Sequence, residues 1–194
     1  MLTVLTDLQR LKRLDRTGWV LRGLAPGAES VAAHTFGVSV AAMLLADGAR
    51  ARGVEVNVER VLRLALLHDL AEARTGDMPR TMAKYYGAGA RRAAEGAAFG
   101  DLIEGLGPEL KSEYGRLHAE YEERASLEAR LVKAADIVDL LAQALAFERA
   151  GARELDEFWE GARERDFGLD GEAREVVAGV FRALVAAREE LRGR

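Results

Sequence analysis

The sequence of 194 residues contains no cysteine, only three prolines and few aromatic residues, which make up 6% of the chain. Without cysteine the chain can form no disulfide and no thiolate metal site, so any metal must be held by histidines and carboxylates. Few prolines, 49% apolar residues and 31% charged residues are typical of a strongly helical globular protein. We therefore expect an all-α fold with one sizeable core.

The sequence also lacks a basic run, a signal peptide and a long apolar stretch. Its formal net charge is −4 and its Lys and Arg residues are dispersed among acidic ones, which argues against a nucleic-acid-binding surface. Residues 1–16 mix apolar residues with Lys and Arg, unlike a signal peptide, and no stretch approaches the roughly 20 apolar residues of a membrane span. We expect a cytoplasmic protein that binds neither nucleic acid nor membranes.

Apolar residues at helical spacing predict helices that are separated by Gly, Pro and capping residues. Ser30, Asn57 and Ser126 each precede such a helix and are suited to cap it. No repeat or linker divides the chain, so one domain is expected over residues 1–194. The predicted helices run from Leu2 to a stop at Thr17-Gly18, over 30–52, 57–73, 87–107, 108–123 and 126–150, with two more between 152 and 194.

The stretch from Leu64 to Glu72 carries the most informative residues of the chain. On a continuous helix, His68, Asp69 and Glu72 extend the apolar stripe of the preceding turns. Burying a carboxylate without a partner is expensive, so Asp69 and Glu72 need a cation, a hydrogen-bond network or a water-filled pocket. One metal ion would satisfy all three side chains.

A second histidine and a further acid complete the pattern. His34 lies with Val31 and Val38 on the apolar side of its helix, and Asp136 interrupts a helix that is apolar nearly all round. Two imidazoles and two carboxylates suit a hexacoordinate divalent ion, with Mn, Co, Ni or Fe(II) fitting better than a structural zinc. Taken singly, His34 also fits a satisfied core histidine and Asp136 an acid on a solvated face, and we interpret Asp139 as structural.

Other residues have both a structural and a functional interpretation. Asp77 lies in the loop Thr75–Pro79, where it is either a turn residue or within reach of a substrate. Trp19 is either a core aromatic or a wall that stacks on a flat ligand. Lys84 is either a surface residue or a contact for an anion. His118 lies in a strongly charged helix, and we expect it to be exposed.

The order of His, His-Asp and Asp on separate helices resembles the HD-domain metal-dependent phosphohydrolases. The resemblance is to the branch of bacterial 5′-deoxynucleotidases and their eukaryotic HD-domain relatives, and it covers about 11–151. It implies a single helical HD-domain bundle and a homodimer. The segments that carry it are 16–23, 29–34, 68–72, 75–79 and 131–136, whereas the terminal helices of 152–194 carry no diagnostic motif.

The resemblance implies one divalent ion, such as Co²⁺ or Mn²⁺, with His34, His68, Asp69 and Asp136 as its ligands. Such an ion would bind a phosphate oxygen and turn a water molecule into a nucleophile at neutral pH. Members of the superfamily with two metals need additional histidines. Because His118 is the one histidine left over, we expect a mononuclear site.

Glu72 and Asp77 match the family's acidic catalytic positions. Glu72 would orient or deprotonate the water and Asp77 would donate a proton to the leaving 5′-oxygen, or the two roles are exchanged.

Trp19 matches the family's substrate-facing aromatic. Bacterial enzymes of this branch have an Arg directly before that Trp, where this chain has Gly18. Arg16 or Arg22 is the candidate to replace it, and Lys84 is a further candidate for an anionic group of the substrate.

The function implied is removal of the 5′-phosphate from deoxyribonucleoside or ribonucleoside monophosphates. One alternative is an HD-type hydrolase of nucleoside triphosphates or of guanosine tetraphosphate, which would release tripolyphosphate or pyrophosphate. The other is a helical regulatory protein without catalysis, which would leave Glu72 with no special role.

Overall fold

The computed structural model describes residues 1–162 and 164–193, and its described part is helical without a strand. An isolated antiparallel bridge joins Asp15 and Ser30. The expected all-α class is confirmed. The helices are α1 Leu2–Leu11, α2 Thr17–Val20, α3 Val31–Arg50, α4 Val58–Leu67, α5 Glu72–Thr75, α6 Ala83–Tyr86, α7 Ala88–Ile103, α8 Pro108–Glu123, α9 Leu127–Arg149, α10 Asp156–Trp159 and α11 Gly171–Arg192, with a 3₁₀ turn at Arg80–Met82.

The contacts divide the chain into two compact units, each assembled from two segments. The first unit contains Met1–Phe36 and Leu66–Ala125, and the second contains Gly37–Ala65 and Ser126–Arg194. Both α3 and α4 contribute residues to both units. One domain over residues 1–194 stays a prediction.

The core of the first unit joins α1, α5 and α7 with the first turn of α3. Helix α1 packs on α5 and α7 through buried Leu11 and the partly buried Val4 and Leu8. The chain between α4 and α5 is buried in the same core, which places the ends of both helices against α1 and α7. The buried residues of this core are Leu11, Val31, Leu70, Ala71, Ala73, Phe99, Leu102 and Ile103.

The second unit is built around α9, which packs on α10 and α11. The predicted cap is present, since the Ser126 hydroxyl accepts a hydrogen bond from the Ala129 N–H at 3.0 Å. Leu131 and Leu141 are fully buried, as expected for a helix that is apolar nearly all round. Of the two C-terminal helices that the sequence predicts, the first is the four-residue α10 and the second is the long α11.

Helices α3 and α9 approach closely within the second unit at Gly37. A Cβ on Gly37 would lie 2.7 Å from Cγ of Asp139 and would overlap its carboxylate oxygen. Gly37 therefore leaves the space that the Asp139 side chain occupies, and the structural role of Asp139 stays a prediction.

Two predicted boundaries near the candidate site are wrong. The helix capped by Asn57 ends at Leu67 rather than near Ala73, because the next residues form i to i+3 hydrogen bonds, including Leu70 N–H to Leu67 O at 3.1 Å and Glu72 N–H to Asp69 O at 3.0 Å. His68 and Asp69 thus lie in a tight turn. The Thr17-Gly18 pair begins α2 instead of stopping a helix.

His118 is buried, which contradicts the expected exposure. Its ring stacks on Phe99 with the two centroids 4.2 Å apart, and burial lowers the pKa of the imidazole. Leu117, His118 and Tyr121 are the buried residues of α8 and recur at helical spacing. Because this helix contains many charged residues, that buried stripe was not recognised from the sequence.

Helix α3 matches the predicted helix over 30–52 closely, but it is more apolar than expected. By length and composition alone it could cross a membrane, in contrast to the expectation that no stretch approaches a span. The core helix of a globular protein has the same composition, and Val31, Val38 and Ala42 of α3 are fully buried here.

Candidate metal centre

His34 lies in the first turn of α3 and is buried. The predicted cap holds this turn in place, because the Ser30 hydroxyl accepts a hydrogen bond from the Ala33 N–H at 3.1 Å. The backbone N–H of His34 itself donates to the Ser30 carbonyl at 3.0 Å. The position of His34 one turn from the cap therefore orients its imidazole toward the interior.

The tight turn after α4 brings His68 and Asp69 to the same place. Oδ2 of Asp69 lies 3.1 Å from Nε2 of His68 and 3.6 Å from Nε2 of His34. The two imidazole rings are 5.6 Å apart between centroids, and the Tyr121 ring packs edge-on against His68 at the same separation. Two imidazole nitrogens and one carboxylate oxygen converge, as the sequence predicts.

Asp69 is ionised in this setting. Burial acts to raise its pKa, but His68, Arg16 and His34 together hold the pKa well below its usual range. An ionised carboxylate between two imidazoles is a donor set suited to a divalent transition metal. These three residues therefore fit the ion that the sequence predicts.

Glu72 begins α5 one turn after Asp69, and only 5% of its surface is exposed. Its Oε2 is buried without a hydrogen-bond partner among the described residues. Burial, reinforced by the negative charges of Asp69 and Asp77, raises the pKa of Glu72 to about 10. The carboxyl group is consequently neutral at pH 7 unless a cation lies nearby.

Asp77 lies in the predicted loop and holds the start of α2. Its Oδ2 accepts a hydrogen bond from the Thr17 N–H at 2.5 Å, and its carbonyl accepts one from the Thr17 hydroxyl at 2.8 Å. Nη1 of Arg16 lies 3.4 Å from both Oδ1 of Asp77 and Oδ2 of Asp69. Asp77 is therefore a structural residue and at the same time a neighbour of the metal-ligand candidates.

The other substrate-contact candidates occupy different surroundings. Trp19 is 2% exposed and its indole N–H donates to Oε2 of Glu29 at 2.5 Å, which makes it a core residue in this structure. Nη1 of Arg22 donates to the Leu21 carbonyl at 3.3 Å. Lys84 is exposed, and its ammonium lies 4.9 Å from the centre of the Tyr85 ring. Arg16, the other arginine candidate, contacts Asp69 and Asp77.

Asp136 belongs to α9 in the second unit. Its carboxylate accepts a hydrogen bond from the Lys133 ammonium one turn earlier at 2.7 Å. Its side chain is 13% exposed, in agreement with the predicted interruption of an otherwise apolar helix.

Three residues near the site escaped the sequence analysis. Glu29 is buried beside Trp19, Tyr121 packs against His68, and Arg91 carries a positive charge that acts on Glu72 and Asp69. Tyr121 belongs to the missed stripe of α8, so helical periodicity could have found it. Glu29 begins the segment 29–34 that carries the family resemblance, but its contact with Trp19 depends on the tertiary fold. Arg91 comes near the site only through the tertiary fold, and no local pattern marks it.

A family comparison agrees with this geometry. Residues 8–166 match the model of the HD domain family, which covers most of the chain and contains the predicted motif-bearing region. The chain belongs to the HD domain family, and it is an enzyme of the HD phosphohydrolase class.

Individual relatives have more specific names than the family. A 5′-deoxynucleotidase HDDC2 from Xenopus laevis is 36% identical over 144 residues, which cover 74% of this chain and 67% of the relative. A 5′-deoxynucleotidase from Schizosaccharomyces pombe is 32% identical over 79% of this chain and 77% of its own length. The solved structure of the PH0347 protein from Pyrococcus horikoshii matches 96% of this chain and 99% of its own, with a TM-score of 0.80 and 33% identity. The resemblance to the 5′-deoxynucleotidase branch is confirmed.

Proposed function

We propose that the protein is a metal-dependent phosphatase that removes the 5′-phosphate from deoxyribonucleoside monophosphates. The observation that carries the proposal is the convergence of His34, His68 and Asp69 next to the buried carboxyl of Glu72. The names of the relatives add the substrate class, since several of them are 5′-deoxynucleotidases.

The proposed ion is divalent, Co²⁺ or Mn²⁺ or a similar metal. His34, His68 and Asp69 would hold it, and Asp136 joins the ligand set on the strength of the sequence resemblance. When bound, such an ion supplies a Lewis acid that stabilises negative charge on the phosphate and lowers the pKa of water.

Glu72 is the better candidate for proton transfer. With a cation bound nearby Glu72 would be ionised, and its Oε2, which has no hydrogen-bond partner among the described residues, would then be available to accept a proton from the attacking water. Both oxygens of the Asp77 carboxylate already face Thr17 and Arg16. We therefore propose that Asp77 orients Arg16 and that a proton for the leaving 5′-oxygen comes from Asp77 or from solvent.

Arg16 is the proposed phosphate contact in place of the missing arginine at Gly18. Its guanidinium is largely buried and lies 3.4 Å from Asp69, so it already faces the proposed metal ligands. A guanidinium can bind two phosphate oxygens through parallel hydrogen bonds. Because Trp19 is buried, we propose it as a packed wall behind the nucleoside and not as an exposed stacking platform.

The proposal is tested by measuring products from a panel of nucleotides. Purified protein is incubated with deoxyribonucleoside and ribonucleoside monophosphates, with triphosphates and with guanosine tetraphosphate, in the presence of Co²⁺, Mn²⁺, Mg²⁺ or a chelator. We expect orthophosphate from deoxymonophosphates with metal and none with chelator. Tripolyphosphate or pyrophosphate would instead favour the triphosphate or tetraphosphate alternative, and no product from any substrate would contradict the proposed phosphatase.

A homodimer in the cytoplasm is also part of the proposal. Phe36, Val40 and Leu44 recur at intervals of four along α3 and are exposed, Phe36 by 72% and Leu44 by 62%. Such a stripe supports a two-fold interface, because Phe36 of one copy can pack on Leu44 of an antiparallel second copy and the reverse. Light scattering of wild-type protein and of Phe36→Ser tests this proposal, and an unchanged mass would contradict the α3 interface.

A further inference from the structure

We propose that Glu29 is a positioning residue that links Trp19 to His34. Its one carboxylate would hold both Trp19, the proposed wall behind the nucleoside, and His34, the proposed metal ligand. The inference rests on the proposed function, because it assigns His34 to the metal. It concerns a residue that touches neither the substrate nor the ion in the mechanism proposed above.

The contacts of Glu29 reach two parts of the site. Its side chain is buried, with 8% of the residue exposed, and Oε2 accepts the indole N–H of Trp19 at 2.5 Å. Its backbone carbonyl accepts the N–H of Arg16 at 3.0 Å. Glu29 therefore anchors both ends of the segment from Arg16 to Trp19.

Glu29 also lies beside the metal-ligand candidate of α3. A carboxylate oxygen of Glu29 and a ring nitrogen of His34 are within 4.8 Å of each other. Nε2 of His34 is the nitrogen 3.6 Å from Asp69. A metal-bound histidine commonly donates its second ring N–H to a carboxylate, which sets the tautomer and the orientation of the ring. Glu29 offers such a carboxylate to His34.

A buried carboxylate is a costly way to fill core space. Removing it from water without compensation is unfavourable, whereas an apolar residue would fill the same volume without that cost. The Trp19 N–H offsets part of this cost and an imidazole N–H would offset more. A role in orienting His34 explains why a carboxylate lies at this point of the first unit, and core packing alone does not.

The substitution Glu29→Gln separates the two explanations. Glutamine keeps the size and an oxygen that can accept the Trp19 N–H, so packing is preserved, but the negative charge beside His34 is lost. We expect Co²⁺ affinity to fall about 10- to 100-fold, as for other residues that orient a metal ligand. Titration of the visible Co²⁺ absorption measures this without any nucleotide. The control is Glu104→Gln, whose carboxylate is 71% exposed, and which should bind Co²⁺ as wild type does.

Trp19→Phe is the second variant, and it covers the case in which Glu29→Gln does not fold. It removes the indole N–H together with part of the ring volume, and it leaves the Glu29 charge in place. We expect weaker Co²⁺ binding by a smaller factor than in Glu29→Gln. In the double variant the two effects should not multiply, since both act through the same carboxylate.

The inference would be overturned if the folded Glu29→Gln variant bound Co²⁺ with unchanged affinity. It would also be overturned if the wild-type protein bound no Co²⁺. A different result would contradict the proposed function. If wild-type protein binds Co²⁺ and releases phosphate from no nucleotide, the phosphatase proposal is wrong while the assignment of Glu29 is still decided by the affinity change.

Discussion

Two clusters of charged side chains, one in each unit, differ in how their charges are compensated. In the second unit, Arg188 is buried and donates three hydrogen bonds to Glu148, two from Nε at 3.0 Å and one from Nη2 at 2.7 Å, and one to Asp156 at 2.7 Å. Arg192 donates to the same Asp156 at 3.1 Å. Two guanidinium groups thus meet two carboxylates, and both arginines lower the pKa of Asp156.

The cluster in the first unit is not balanced in this way. Three carboxyl groups, those of Asp69, Glu72 and Asp77, act on one another around the guanidinium of Arg16. Asp69 is kept ionised and the pKa of Glu72 is raised to about 10. The buried carboxyl groups outnumber the guanidinium of Arg16 that lies between them, and Glu72 therefore keeps its proton.

The difference indicates which cluster is structural and which is functional. A balanced network needs nothing further, and its members stabilise the fold through hydrogen bonds between charged groups. A cluster with surplus carboxyl groups costs stability until a cation arrives, and such strongly shifted pKa values concentrate at functional sites. Changes to the first cluster should therefore affect activity, and changes to the second should affect stability.

The largest effect is expected from Asp69→Asn. The change removes a negative oxygen from the proposed ligand set, so the rate of phosphate release should fall by at least about 100-fold. Thermal unfolding of the metal-free protein should change little. Asp101→Asn, at a position 74% exposed in the same unit, is the control and should keep full activity. A fully active Asp69→Asn variant would contradict the functional assignment of this cluster.

Arg188→Met should lower the stability of the protein and leave its activity unchanged, the opposite of Asp69→Asn. It leaves Glu148 buried without its guanidinium, and breaking such a pair costs about 2–4 kcal/mol of unfolding free energy. Urea unfolding measures the loss, and phosphate release per folded molecule should stay at the wild-type level. Arg192→Met is the matched control, because its side chain is 58% exposed and should cost less than about 1 kcal/mol. Equal losses in both variants would show that burial is not what makes Arg188 important.

Gly37→Ala tests whether close packing, in addition to charge, holds the second unit together. The new methyl group overlaps the Asp139 carboxylate, and overpacking of this kind costs about 1–3 kcal/mol. Gly96→Ala in α7 is the control, since nothing lies within 4 Å of its added Cβ. That control should gain about 0.5–1 kcal/mol, as expected for alanine in place of glycine in a helix. A Gly37→Ala protein as stable as wild type would contradict the close approach of α3 and α9.

The smallest expected effect is a gain of stability in Glu72→Gln, measured with chelator present. The folded-state pKa of Glu72 is raised above the unfolded value of 4.5, so the folded protein holds a proton that the unfolded chain releases as the pH rises. Stability is therefore lost with increasing pH between about 4.5 and 10. Removing this loss should make Glu72→Gln more stable than wild type at pH 8, by an amount that grows as the pH rises above 4.5. The advantage should disappear near pH 4.5, and an equal difference at both pH values would be inconsistent with the raised pKa.

Much of the local structure near the site could be predicted from the sequence. Ser30, Asn57 and Ser126 cap the helices for which they were predicted, because a short polar side chain before an apolar helix acts within a few residues. The turn after Leu67 could not be predicted, since the apolar period continues to Ala73 without a break. Only packing of α5 on α1 and α7 decides that the helix ends early.

The sequence is least informative about residues whose role depends on neighbours that are far away along the chain. Glu29 and Trp19 are ten positions apart and belong to no common period, yet they share a hydrogen bond in the core of the first unit. His118 was predicted to be exposed because its helix is rich in charge, whereas its stacking on Phe99 depends on the packing of α8 against α7.

By itself the sequence determined the class of the protein, because residue types and short spacings are local properties. The absence of cysteine restricted the metal ligands to histidine and carboxylate, and the order of His34, His68-Asp69 and Asp136 indicated the HD family. Only the tertiary structure decided the charge state of Glu72, the place of Arg16 beside the acids and the burial of Glu29. A pKa or an ion pair depends on the distance and burial of groups that the chain brings together from far apart, and no local pattern contains those quantities.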